Sequence, residues 1–256
     1  MATCPVGVDV DLQHGPRERG QALLDDFDRL RDAEPVYWSE QSRCWIVSRH
    51  DDVSDIFKGK FPLTNIGRTD SVFYTIPPEE WDARIPNLVK YSRMWITSTD
   101  GRPHMRLRTL MMKALGRKVI EPLRPYARAR AEELLDIAIA APEIEFNEQI
   151  SRPMTGFVLF RMLGMPEERF QDLRDWSTWL VEGAAAATPS PEQLERADRA
   201  LVEMNAAVIT EIEKRKIEPK DDFITALMEA REGDDRLTVD EICAQMHVAI
   251  VARHDT

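Results

Sequence analysis

Asp100-Gly101-Arg102-Pro103-His104-Met105-Arg106-Leu107-Arg108 is the stretch on which the fold reading turns. From residue 101 to 120 it gathers Arg102, Arg106, Arg108, Lys113, Arg117 and Lys118 without one acidic residue. The whole chain has 34 basic residues against 45 acidic ones and a formal net charge of −11, so this segment is a local exception. Asp100 is placed to cap a helix and Pro103 falls in its first turn, where a missing N–H costs nothing; the spacing predicts a helix over 103–115. On a wheel of 100° per residue, Arg106, Lys113 and Arg117 fall within about 40° of one another. His104 and Arg108, four residues apart, project on the other side together with Met111 and Leu115, and that side is expected to face the core.

A histidine and an arginine on a core-facing stripe need an anionic partner, because burying an unpaired charge is costly. A carboxylate of the protein would serve, and so would the carboxylates of a bound cofactor; both stay open on these residues alone. The outer trio Arg106, Lys113 and Arg117 reads either as a solvated face or as a docking patch for an acidic partner. Nucleic-acid binding is disfavoured by the acidic whole and by the lack of interleaved aromatic and basic residues.

Upstream, Ala22, Leu23, Phe27 and Leu30 recur at helical spacing up to Ala33, before Pro35. Val36-Tyr37-Trp38 and Cys44-Trp45-Ile46-Val47 are β-prone runs joined by a link of hairpin size, Ser39 to Arg43. A second helix begins near Asp51, with Val53, Ile56 and Phe57 expected to face inward. From Gly59 to Ile96 the periodicity fails among Pro62, Asn65, Gly67, Pro77, Pro78 and Pro86, and a long aromatic-rich loop is expected. Downstream, segments near 103–115, 118–140, 147–163, 167–183, 191–216, 221–231 and 238–256 are helical, broken by proline and glycine.

These features describe a soluble, mainly α chain with a small β-sheet, organised as one domain over 1–256. With 43% hydrophobic and 31% charged residues, disorder is excluded. Cys4, Cys44 and Cys243 are too few and scattered for a disulfide framework or a zinc site, which fits a reducing, cytoplasmic setting. The first residues lack a basic and an apolar region, so no signal peptide is expected, and no window reaches the ~18 apolar residues of a membrane span.

Thr238-Val239-Asp240-Glu241 has the form of a capping box, with Thr238 as N-cap and Glu241 three residues on. The run from Ile242 to Ala252 that follows is apolar nearly all round apart from Gln245 and His247, which marks a central helix. It is expected to expose an apolar surface where the helices that would cover it are missing. Arg253-His254-Asp255-Thr256 ends the chain, and the adjacent acid and alcohol Asp255 and Thr256 could relay protons.

Taken in order, four stretches resemble the amino-terminal part of a soluble, bacterial-type cytochrome P-450, a haem-thiolate monooxygenase. They are Pro35-Val36-Tyr37-Trp38 with Trp45 to Val53, then Asp100 to Arg108, then Asp221-Asp222-Phe223-Ile224-Thr225-Ala226-Leu227, and last Leu237 to Thr256. The resemblance implies the corresponding fold, truncated, with haem b (iron protoporphyrin IX) as cofactor. It implies that His104 and Arg108 bind the haem propionates and that Asp255 and Thr256 are the acid–alcohol pair that delivers protons to the reacting oxygen. Arg106, Lys113 and Arg117 would dock a ferredoxin or flavin reductase as electron donor. The 59–96 loop and the segment around Trp176, Trp179 and Leu180 would border a pocket for an apolar small-molecule substrate.

Two departures matter. The family's axial cysteine loop would lie past residue 256, so no metal ligand is assigned and the chain alone is expected to be inactive. Arg253 also stands where the family usually has glycine. The alternative is a non-catalytic helical binding module, a pseudoenzyme that uses the basic face of 102–118 to hold an acidic protein.

Overall fold

A computed structural model describes residues 20–40, 42–140, 142–186 and 188–252. The described chain is mainly helical with one two-stranded sheet and divides into two compact units, one formed by residues up to 64 with 185–189, the other by 65–184 with 190 onward.

In the first unit, helix α1 (Gln21–Ala33) precedes strands β1 (Val36–Ser39) and β2 (Cys44–Val47), and helix α2 (His50–Phe57) follows. The strands pair antiparallel with Tyr37 opposite Ile46 and Trp38 opposite Trp45. Side chains alternate across a strand, so Tyr37 and Ile46 join Leu23 and Leu30 in a small core while the two tryptophans meet on the other face. Their rings lie edge to face with centroids 5.5 Å apart. Phe57 does not face inward as its spacing implies: it is the last residue of a two-turn helix and is 86% exposed.

The second unit begins where the sequence implied a long loop, and here the reading needs correction. Residues 70–75 and 78–80 form 3₁₀ turns, followed by α3 (Trp81–Arg84) and α4 (Pro86–Ser92). Pro78 and Pro86 start turns rather than end them, because proline's fixed φ suits the first helical position. Asp198, on a distant helix, accepts from the backbone N–H of Leu88 at 2.7 Å and from Asn87 Nδ2 at 3.0 Å, supplying the cap that α4 lacks locally.

Then come α5 (Gly101–Ala114), α6 (Arg117–Ile120), α7 (Leu123–Ile139), α8 (Arg152–Leu163), α9 (Phe170–Ala184), α10 (Pro191–Ile217), α11 (Phe223–Glu229) and α12 (Val239–Val251). Their bounds follow the periodic segments closely. Ser190 and Gln193 close a capping box on α10, and Thr238 and Glu241 close the expected one on α12. Helices α9 and α10 pack so closely at Gly183 that a Cβ there would lie 2.6 Å from Ala197 Cβ.

Helix α12 sits against α4, α9, α10 and α11, and Ile242, Cys243, Ala244, Met246 and Ile250 are buried. It is therefore covered by its own unit, contrary to the expectation of an open apolar face. Trp176 and Leu180 are buried in this core, and the Trp176 indole N–H donates to Glu203 at 2.7 Å. No described helix is long and apolar enough to cross a membrane.

Candidate functional site

Helix α5 organises the site. Asp100 holds the N-cap position, but its carboxylate accepts from the backbone and side chain of Asn65 rather than from the helix. Gly101 enters the helix at φ +58°, a conformation in which a Cβ is strained. Leu107, Leu110 and Ala114 form the buried stripe. The core-facing seam thus runs between the two basic sets instead of under His104 and Arg108. His104 lies half-buried on one shoulder, whereas Arg108 and Leu115, placed toward the core by the wheel, are exposed. A wheel ranks faces by composition alone, and three small or branched apolar residues at 107, 110 and 114 outweighed a stripe containing an arginine.

On the other shoulder Lys113 and Arg117 are exposed, as a solvated face would be, whereas Arg106 is half-buried. Arg106 makes a forked pair with Asp235, Nε to Oδ2 at 2.6 Å and Nη2 to Oδ1 at 2.9 Å. It also bonds Glu241 through Nη1 at 2.5 Å and the Arg236 carbonyl at 2.9 Å. Fork-to-carboxylate bonds of this kind are strong and directional. Arg106 holds the Asp235 carboxyl below its ordinary range. Burial alone would raise Glu241, but the bonds from Arg106 and from the Thr238 backbone outweigh it and keep that carboxyl low as well. Lys113 bonds Glu232 and the Arg231 carbonyl, and Arg117 bonds Glu121 at 2.9 Å. All three residues read as a docking trio are therefore engaged with carboxylates of this chain. Arg102, Arg108 and Lys118 have no ion pair among the described residues.

Behind His104 lies the 94–98 segment, held by α12. Gln245, fully buried, accepts from the Ile96 backbone N–H at 3.1 Å and donates to the Met94 carbonyl at 2.9 Å. Between them Trp95 donates its indole N–H to His247 Nδ1 at 3.5 Å. His247 in turn donates from Nε2 to Asn205 Oδ1 at 2.8 Å, and the Tyr91 ring packs edge-on against it. Complete burial pushes His247 down to about 3, so the ring is neutral and carries its proton on Nε2. Lys90 and Tyr91 both reach Asp240, two turns before His247 on α12. Gln245 and His247 interrupted the apolar run in the sequence, and that interruption was the one available sign of this network.

The His104 ring bonds the Ile96 carbonyl through Nδ1 at 3.1 Å. A carbonyl only accepts, so Nδ1 carries a proton and Nε2 is left without a partner among the described residues. His104 and Arg108, one turn apart, thus offer a half-buried imidazole and an exposed guanidinium with no ion pair among the described residues. That donor set suits a dicarboxylate ligand. A cleft of about 670 Å³, lined by Met94, Arg102, Pro103, Arg106, Leu107 and Glu241 among others, opens beside α5. Asp255 and Thr256, with Arg253, lie outside the described residues. No cluster of metal-ligating side chains occurs among the described residues. Cys243 is buried and its thiol is pushed up to about 12, mainly by desolvation, so it is no thiolate.

No family model matches the chain. Cytochrome P-450 107B1 of Saccharopolyspora erythraea is 32% identical over 213 residues, which are 83% of this chain and 50% of that protein. The chain is homologous to bacterial cytochromes P-450. Among solved structures, cytochrome P-450 CYP109Q5 from Chondromyces apiculatus is similar with a TM-score of 0.71 and 26% identity, covering 95% of this chain and 57% of that one. P-450 BioI, solved in complex with an acyl carrier protein, is similar in fold with a TM-score of 0.76 at 24% identity, covering 90% and 57%. The chain spans about half the length of the curated relatives it matches, consistent with an amino-terminal part of this cytochrome P-450 fold. Haem b is the cofactor of the homologous proteins, and the His104–Arg108 donor set fits its carboxylates.

Proposed function

We propose that this chain is part of a haem-dependent monooxygenase that inserts one oxygen atom from O₂ into an apolar small molecule, residues 1–256 forming one partial domain of it. The observation that carries the reading is the donor pair on α5, half-buried His104 and Arg108, the latter without an ion pair among the described residues, in a chain homologous to cytochromes P-450. When bound, haem b would supply the oxygen chemistry. His104 and Arg108 hold its propionates by charge-assisted hydrogen bonds. Asp255 and Thr256 would hold and pass protons toward the oxygen. None of Cys4, Cys44 or Cys243 is assigned as a haem ligand.

The electron donor, a ferredoxin or a flavin reductase in the cytoplasm, docks on the basic 102–118 stretch. Because Arg106, Lys113 and Arg117 are neutralised within the chain, Arg102 and Lys118 carry the attraction for an acidic partner there. The substrate is an apolar small molecule.

The test is a chimera in which residues 1–256 are continued by the corresponding carboxy-terminal part of the Saccharopolyspora erythraea relative. The expected result is a haem-thiolate absorbance band after reduction under carbon monoxide. His104→Ala and Arg108→Ala should each weaken haem retention, roughly ten- to a hundredfold for loss of one charged hydrogen bond. A folded chimera that keeps haem equally well without either side chain would overturn the assignment.

A further inference from the structure

We infer that Gln245 is a positioning residue: from α12 it holds the 94–96 backbone so that the Ile96 carbonyl fixes the orientation and tautomer of His104. The carboxamide is fully buried, and both its ends are used on one short piece of chain. Oε1 accepts from Ile96 N–H at 3.1 Å and Nε2 donates to the Met94 carbonyl at 2.9 Å. Two bonds of opposite sense, two residues apart, set both the distance and the rotation of the segment; an apolar side chain of the same size would set neither. Trp95, between the two bonded residues, is tied to His247, two residues further along α12, which closes the clamp on its third residue.

Ile96, so held, has its N–H toward Gln245, while its carbonyl, in the following peptide unit, receives the proton of His104 Nδ1 at 3.1 Å and that of the Thr99 hydroxyl at 3.0 Å. Which ring nitrogen of a histidine carries the proton is decided by what the other nitrogen meets. The Ile96 carbonyl therefore commits the neutral ring to Nδ1–H and reserves Nε2. The bond survives when Nε2 gains a proton to meet an anion, so the ring need not turn on binding. Such a second layer of hydrogen bonds is what keeps a binding group in productive geometry. The bearing of this device on haem rests on the function proposed above; the orientation of His104 does not.

The experiment is nitrogen-15 NMR of the imidazole rings in the 256-residue chain without added cofactor, with His104 assigned through His104→Ala. In the wild type, Nδ1 of His104 should show the protonated signature and Nε2 the unprotonated one. Gln245→Leu and Gln245→Asn, the second too short to reach both backbone groups, should each lose that preference and show an averaged or reversed tautomer. Cys243→Ala, buried on the same helix without a bond to the 94–96 segment, should keep the wild-type signature. If Gln245→Leu does not fold, Gln245→Asn gives the same reading. A folded Gln245 variant with the wild-type His104 signature overturns the inference, and so does loss of that signature in Cys243→Ala. Failure of the chimera to take up haem defeats the functional reading while leaving this result standing.

Discussion

His247 donates its Nε2 proton to Asn205 Oδ1 at 2.8 Å, joining α12 to α10 inside the core. The ring is fully buried and its only charged form would be desolvated, so the folded chain disfavours protonation. The unfolded chain binds that proton below the ordinary value of 6.5. Stability is therefore fully present above that value and falls as pH drops toward about 3. One proton corresponds to a slope of about 1.4 kcal/mol per pH unit. Urea unfolding should approach this slope as pH falls from about 6 to about 5, and His247→Gln should remove it; an unchanged slope would refute the account.

Arg106 acts on the acid limb. Asp235 and Glu241 are held below their ordinary values, so the stability they contribute is present above those values and is lost as pH falls through the lowered ones. Arg106→Met removes the shared partner and should flatten the loss of stability below about pH 4, the unfolded carboxylate range. It also leaves Glu241 half-buried without its cation, so the variant should be less stable than wild type at pH 7. Equal acid titration of stability in both proteins would count against the pairing.

Gly183 lies inside α9, where alanine is ordinarily better by about 1 kcal/mol. Here the added Cβ would meet Ala197 Cβ at 2.6 Å and the Gln193 carbonyl at 2.8 Å. Gly183→Ala should therefore destabilise, by about 1–3 kcal/mol as overpacking does, reversing the helix-propensity rule. Pairing it with Ala197→Gly relieves the nearer clash and should recover part of the loss. Chemical denaturation of the three proteins measures both effects.

Asp198 caps a helix that is distant in sequence. Asp198→Ala leaves the Leu88 N–H buried without an acceptor and should cost about 1–3 kcal/mol. Hydrogen exchange should quicken first at the start of α4, and an effect spread evenly over the chain would contradict the assignment.

Periodicity alone determined the helices from residue 101 onward, the hairpin of β1 and β2 and the capping box at Thr238, because each depends on neighbours within a few residues. The ordered motifs also named the family, and the spacing of His104 and Arg108 placed both on adjoining turns of one helix. What α5 buries was not legible: the wheel chose Arg108 and Leu115, whereas packing in the tertiary structure chose Leu107, Leu110 and Ala114. Nor could local pattern show that Arg106 is spent on Asp235 and Glu241, 129 and 135 residues away. Pro78 and Pro86 looked like breaks because a proline that ends one helix and a proline that begins another share the same local signature. The cap from Asp198 and the hold of Gln245 on Met94 and Ile96 exist only when distant segments meet. Buried polar groups must find partners wherever the fold brings them, and sequence distance puts no limit on where those partners lie.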